Sequence, residues 1–110
     1  MMRSAEFADT IKDGVRAVQH DVVLHVRRDV ESDGPRIGLI VSKRVGTAVD
    51  RHRVSRRLRH AMRDVINGLD PRDRVVIRAL PTSARATSAD FHRQLSKGIG
   101  RAVDVASTKR

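Results

Sequence analysis

The stretch Val41–Arg63, VSKRVGTAVDRHRVSRRLRHAMR, constrains this chain more than any other. Eight of its residues are Lys or Arg: Lys43, Arg44, Arg51, Arg53, Arg56, Arg57, Arg59 and Arg63. Only Asp50 is acidic, so the stretch carries +7 of the chain's net +10 on about a fifth of its length. Any fold has to hold these cations where they can be used, and any function has to use them.

The 110 residues make one domain, long enough for a modest core. A pI near 11.6 points to a polyanionic partner, nucleic acid first and an acidic membrane surface second. Without Cys there is no disulfide, zinc-thiolate site or thiol nucleophile, which suits a reducing cytoplasm. No signal peptide and no 18-residue apolar run is present, so nothing is expected to span a membrane. Two Phe and no Trp or Tyr argue against a base-stacking sheet.

The pattern predicts a short helix over 4–13, with Ser4 as cap, Glu6 in the first turn, Phe7 and Ile11 at i and i+4, and Gly14 as stop. His20–Arg28 reads as a strand, with Val22, Leu24 and Val26 alternating against Val23, His25 and Arg27. Arg36–Ser42 reads as another, and the Asp-Gly-Pro turn before it predicts that the two form an antiparallel hairpin. Thr47 to Asp50 resembles a capping box opening a helix over 48–66, with Asn67-Gly68 as a left-handed end and Pro71 beyond. Arg74–Leu80 is a third strand. Thr87-Ser-Ala-Asp90 opens a last helix, with Phe91, Leu95, Ile99 and Val103 on one stripe. Gly98 and Gly100 each cost about 1 kcal/mol there against Ala, so packing must hold it. The single domain is expected over 1–103, with 104–110 as a flexible tail.

At about 100° per residue, Val54, Leu58, Ala61, Met62 and Val65 share one face of the basic helix. His52, Arg56, Arg59 and Arg63 cluster opposite, bordered by Arg53 and His60, while Arg57 lies towards an edge of the apolar stripe. Like charges at i,i+4 repel, and no carboxylate within 51–63 relieves them. A merely solvated helix would mix Glu with Arg. A DNA recognition helix lacks a helical partner here, since strands flank it. A membrane-surface helix would need an aromatic anchor on its apolar face. Guanidinium forks suit phosphate oxygens, and if about six of them displace counterions, affinity falls roughly a thousandfold between 50 and 200 mM salt.

These residues resemble the protein subunit of bacterial ribonuclease P. The signature of that family is Arg-Asn-Arg, one residue, Lys-Arg, two residues, Arg, after a strand ending Val-Ser-Lys-Lys-(Val/Ile)-Gly-Asn-Ala-Val. This chain has Val41-Ser-Lys-Arg-Val-Gly-Thr-Ala-Val49 and then Arg51-His-Arg-Val-Ser-Arg-Arg-Leu-Arg59. Phe7 with Gly14 resembles the family's first helix, Gly38–Ser42 its central strand and Val75–Ala79 its late strand. The resemblance implies an α+β fold: a two-layer α-β-β-β-α-β-α sandwich whose mixed sheet has a left-handed β-α-β crossover, against the usual hand. It requires a fourth strand, short or near Val15–Val18.

The partners so implied are a catalytic RNA and precursor tRNA, with no obligate protein partner and no membrane. The RNA, with Mg²⁺, cleaves the 5′ leader, and the protein holds that leader in a cleft between the basic helix and the sheet. Lys43, Arg44, Arg51, His52, Arg53, Arg56, Arg57, Arg59 and Arg63 are the expected contacts to the catalytic RNA. Phe7, Ile11, Val22 and His25 are the expected leader contacts, the last three standing where relatives often carry aromatics. His52 replaces the signature Asn, and Ser55 replaces its Lys, with Arg57 next along as substitute.

No catalytic residue, protein-held cofactor or metal is expected. His52 and His60 are eight apart, poor spacing for two ligands, and the carboxylates are scattered. Asp50 reads as a helix-start residue rather than a ligand. The sequence thus predicts a cytoplasmic RNA-binding subunit of an endoribonuclease that matures tRNA 5′ ends. The alternatives are a ribosomal or general RNA-binding protein and a small protein nuclease.

Overall fold

The computed structural model describes residues 4–28 and 34–108. The elements run α1 Ser4–Asp13, β1 Val15–Val18, β2 Val22–Arg28, β3 Arg36–Ile40, α2 Ala48–Val65, β4 Asp73–Ala79 and α3 Ser88–Thr108. This is the expected α-β-β-β-α-β-α order, with β1 where the fourth strand was sought. Most of the turn expected over 29–35 lies outside the described residues.

The sheet order is β1-β2-β4-β3. β2 pairs antiparallel with both β1 and β4, and β3 pairs parallel with β4. The expected hairpin between the strands at 20–28 and 36–42 is therefore corrected: β4 is inserted between them. β4 carries the run Val75-Val76-Ile77, fully buried on both faces. A strand of that kind belongs at the centre of a sheet, and the polar-flanked β3 is left at the edge.

Register sorts the side chains. Val22, Leu24, Val26, Val75, Ile77 and Ala79 face α2 and α3 and share one core with Val54, Leu58, Phe91, Leu95 and Ile99. α3 lies across β1 and β2 and against α2. Gly98 permits this, because a Cβ there would run into the Leu24 side chain. α1 lies on the other face, over β2 and β4. Its Glu6 Oε1 pairs with Arg36 Nη1 at 2.7 Å and its Oε2 with Arg74 Nε at 3.1 Å. One carboxylate therefore pins α1 to both β3 and β4.

Two ends differ from expectation. α2 closes through a 3-10 turn, Ile66–Gly68, and only Gly34 and Gly46 have positive φ among the described residues, so Gly68 is no left-handed cap. α3 stays helical to Thr108, past the expected tail boundary at 104.

Candidate nucleic-acid interface

The segment leading into α2 is built residue by residue. Ser42 accepts the Arg44 N–H and starts a 3-10 turn, Lys43–Val45, in which Val45 is buried while Lys43 and Arg44 stay exposed. Gly46 follows at φ 152°, a conformation side chains avoid, with the Asp50 carboxylate where a Cβ would sit. Thr47 Oγ1 then accepts the Asp50 N–H at 3.2 Å, and Asp50 Oδ2 accepts the Thr47 N–H at 3.0 Å. These bonds to Thr47, aided by Arg53, hold the Asp50 carboxyl below the usual carboxylate range. Asp50 is a cap, as its position predicts. Thr87 and Asp90 repeat the device at the start of α3, with Arg93 in the place of Arg53.

On α2, Val54, Leu58, Ala61 and Met62 are buried, and His52, Arg56, Arg59, His60 and Arg63 are exposed. None of these exposed cationic or imidazole groups has an ion-pair partner among the described residues. Two other arginines are engaged within the fold. Arg53 Nη2 binds Asp50 Oδ1 at 2.9 Å and the Ala84 carbonyl at 3.3 Å. Arg57 Nη1 donates to the Ala86 carbonyl at 2.8 Å. Both tie α2 to the segment between β4 and α3. Arg51 is half-buried, with its Nε enclosed and unpartnered.

A groove of about 460 Å³ runs along the edge strand β3, lined by Phe7, Ile37, Gly38, Leu39, Arg59, Met62, Arg63 and Ile66. The Phe7 ring lies directly on Gly38, closer than any Cβ at that position would allow. The groove thus has an apolar floor, one aromatic wall from α1 and, on the α2 rim, two guanidinium groups with no ion-pair partner among the described residues. That combination suits a single strand, with bases on the apolar surface and phosphates on the arginines.

The α1 face of the sheet continues from this groove with Arg16, Val18, Val23, His25, Arg27, Arg74, Val76 and Arg78. Arg16 and Arg78 are exposed, and His25 is 4% exposed. Burial, then the charges of Arg78 and Arg16, hold the His25 ring below the ordinary histidine pKa. Among the described residues no group of three His, Cys, Asp or Glu is placed to hold a metal, and no helix is long and apolar enough to cross a membrane.

The model of the Ribonuclease P family matches residues 1–103. The chain belongs to the ribonuclease P protein family. It is 53% identical to the ribonuclease P protein component of Mycobacterium marinum (strain ATCC BAA-535 / M), over 100% of this chain and 94% of the relative. It is 49% identical to that of Mycobacterium tuberculosis (strain CDC 1551 / Oshkosh), again over 100% and 94%. Among solved structures, a Staphylococcus aureus RNase P protein mutant with defective mRNA degradation activity superposes with a TM-score of 0.83 at 21% identity, over 94% of this chain and 86% of that one. The chain is thus a protein component of ribonuclease P, the bacterial endoribonuclease of tRNA 5′ maturation.

Against this ribonuclease P frame, the basic residues expected to meet RNA divide by geometry. Lys43, Arg44, His52, Arg56, Arg59 and Arg63 are exposed; Arg51, Arg53 and Arg57 are half-buried, the last two engaged in tying loops. Arg57, expected as the substitute for the Lys absent at Ser55, has its guanidinium on the Ala86 carbonyl. Of the expected leader residues, Phe7 lines the groove and Ile11 is 37% exposed on α1. Val22 is corrected: it is fully buried in the core on the α2–α3 face, out of reach of any strand bound beside α1. His25, three residues on, necessarily points to the opposite face. Arg16 and Arg78 were not singled out from the sequence. The signal was strand parity, which puts both on the face of His25 once the register is known.

Proposed function

We propose that the exposed ridge of α2 docks on the phosphates of the ribonuclease P catalytic RNA, with Arg56 and His52 at its crest and Lys43 and Arg44 alongside. The 5′ leader of precursor tRNA lies in the groove between α1, β3 and α2, against Phe7, Arg59 and Arg63. It continues over the sheet beside Ile11 and His25. The protein lowers repulsion between two polyanions and positions the leader. The phosphodiester hydrolysis belongs to the RNA and its Mg²⁺, and the setting is the cytoplasm. The observation that carries this reading is the run of arginines Arg56, Arg59 and Arg63, unpaired among the described residues, along one side of a helix whose other side is locked in the core.

Reconstitution with the cognate catalytic RNA at low Mg²⁺, scoring leader release, tests it. Release should require both components, and the protein alone should cleave nothing. A protein that leaves the RNA's rate unchanged, or binds precursor and mature tRNA complexes equally, would instead fit a general RNA-binding role.

A further inference from the structure

A second cavity, of about 840 Å³, lies on the α3 side of the molecule, between the β1–β2 turn, the 3-10 segment Pro81–Arg85 and the first turns of α3. Hydrogen bonds fix its walls from three directions. Thr82 Oγ1 donates to the His20 carbonyl at 3.2 Å and the Leu80 N–H to the Asp21 carbonyl at 2.9 Å, tying the 3-10 segment to the turn. The Asp21 N–H donates to Gln94 Oε1 at 2.8 Å and Gln94 Nε2 to Asp21 Oδ2 at 2.6 Å, tying the turn to α3. From α2, Arg53 and Arg57 bind the carbonyls of Ala84 and Ala86, and both alanines line the cavity. A cavity held in this way is formed before a ligand arrives.

The charges around it are unequal. The Asp21 carboxylate is taken up by Gln94, and that of Asp90 by the Thr87 N–H at 2.9 Å and Arg93 Nη2 at 3.1 Å. His20 stands at the mouth, its Nδ1 3.7 Å from Asp21 Oδ1. Arg85 and Lys97 are exposed and have no ion-pair partner among the described residues. The spare charge is therefore positive. Pro81, Ala84 and Ala86 make the remaining wall small and apolar. The Gln19 side-chain amide also faces the cavity without a hydrogen-bond partner among the described residues, and it can both donate and accept.

Two spare cations, an apolar wall and a free amide answer the three parts of an unpaired nucleotide: phosphate, base face and base edge. Proteins read RNA sequence on such splayed-out bases, which stack on side chains that include guanidinium planes.

We infer that this cavity takes one unpaired nucleotide of the catalytic RNA, its phosphate on Arg85 and Lys97, its base against Pro81 and Ala84, and its edge on Gln19. This rests on the catalytic-RNA reading above and adds a point of base recognition to it, since phosphate contacts along α2 position the RNA without reading it. Continuity selects that RNA over the leader. The cavity wall is the segment that Arg53 and Arg57 hold and that packs against Lys43–Val45, so RNA lying on α2 and on Lys43 and Arg44 reaches it. The leader groove opens instead at β3, the sheet edge opposite β1.

The chain has no cysteine, so Gln19→Cys sets a single thiol at the cavity for a photoreactive azide. In the holoenzyme assembled from this protein, crosslinks should fall on one unpaired stretch of the catalytic RNA. Probed by 2′-hydroxyl acylation, the same stretch should be protected by the wild type and lose protection in Arg85→Ala and Lys97→Ala. Each variant should bind the RNA about tenfold more weakly, with a log–log salt slope lower by about one. Crosslinks confined to paired RNA or to precursor tRNA overturn the inference, as does protection unchanged in both variants. Should the labelled protein not assemble, the protection pattern alone decides. Free nucleoside 5′-monophosphates that fill the cavity and leave holoenzyme assembly unaffected would assign it to a small ligand and likewise overturn it. A wild-type chain that fails to bind the catalytic RNA would instead remove the docking reading itself.

Discussion

The Arg57 guanidinium donates to the Ala86 carbonyl oxygen at 2.8 Å, joining α2 to the segment before α3 across 29 residues of sequence. Its neighbour Arg56 is exposed and unpaired among the described residues. Two adjacent arginines of one basic run thus do different work. Arg57→Ala should lower stability by about 1–2 kcal/mol, the range of a charge-assisted hydrogen bond. Arg56→Ala should leave stability unchanged, weaken binding to the catalytic RNA, and reduce the log–log salt slope by about one. Thermal melts and salt-dependent binding of the two variants check this. Equal stability losses would show that both arginines serve the fold.

The second prediction concerns Phe7 and Gly38. The ring occupies the space where a Cβ on Gly38 would go. Gly38→Ala should displace Phe7 from the groove wall, cost about 1–3 kcal/mol as overpacking does, and weaken leader-dependent binding. In a Phe7→Ala background the same substitution should cost much less, because the clash is gone. The double-mutant cycle measures the coupling. Additive effects would mean that ring and strand do not press on each other.

Much of this architecture was legible locally. The capping box at Thr47 and Asp50, the apolar stripe from Val54 to Met62 and the extent of α1 depend on residues within a few positions of each other, and they fold as read. What was not legible was long-range. The Asp-Gly-Pro turn suggested that β2 pairs with β3, since adjacent strands usually do. The clue against it was the doubly buried run Val75-Val76-Ile77, which demands the centre of the sheet. Val22 was placed on the leader side by the resemblance alone, although its alternation with His25 sets the two on opposite faces. The roles of Glu6, Arg53 and Arg57 needed coordinates. Apart from the Arg53–Asp50 pair, their partners lie 29 to 68 residues away, and composition shows them only as more charge.

The third prediction is a pH dependence. Thr47 and Thr87 hold the carboxyls of Asp50 and Asp90 below the usual range, and Arg72 does the same for Asp70. For groups depressed in the folded state, the unfolded chain takes up protons first. Their contribution is therefore fully present above the unfolded value of about 3.9 and is lost as pH falls through the lowered folded values. Asp50→Asn should cost stability at pH 7, and the gap from the wild type should close in acid. Melting curves at neutral pH and near pH 3 decide it; a gap that is constant with pH would mean that the carboxylate charge is not what caps α2.

The last prediction tests what holds α1 beside the groove. The Glu6 carboxylate lies between Arg36 and Arg74, and the Arg74 side chain is only 3% exposed. Removing one partner of such a pair leaves an uncompensated charge in the sheet, so Glu6→Ala should cost about 3 kcal/mol. Arg74 keeps its hydrogen bonds to the Gly34 and Asp73 carbonyls, which limits the loss. Glu6→Gln keeps an acceptor without the charge and should fall between the wild type and Ala. Because Phe7 is the next residue on α1, leader-dependent binding should fall in the same order, while binding of leaderless tRNA should hold. Urea denaturation and the two binding measurements, made on the same variants, check this. A Glu6→Ala protein with full leader dependence would show that the groove wall stands without its ion-pair anchor.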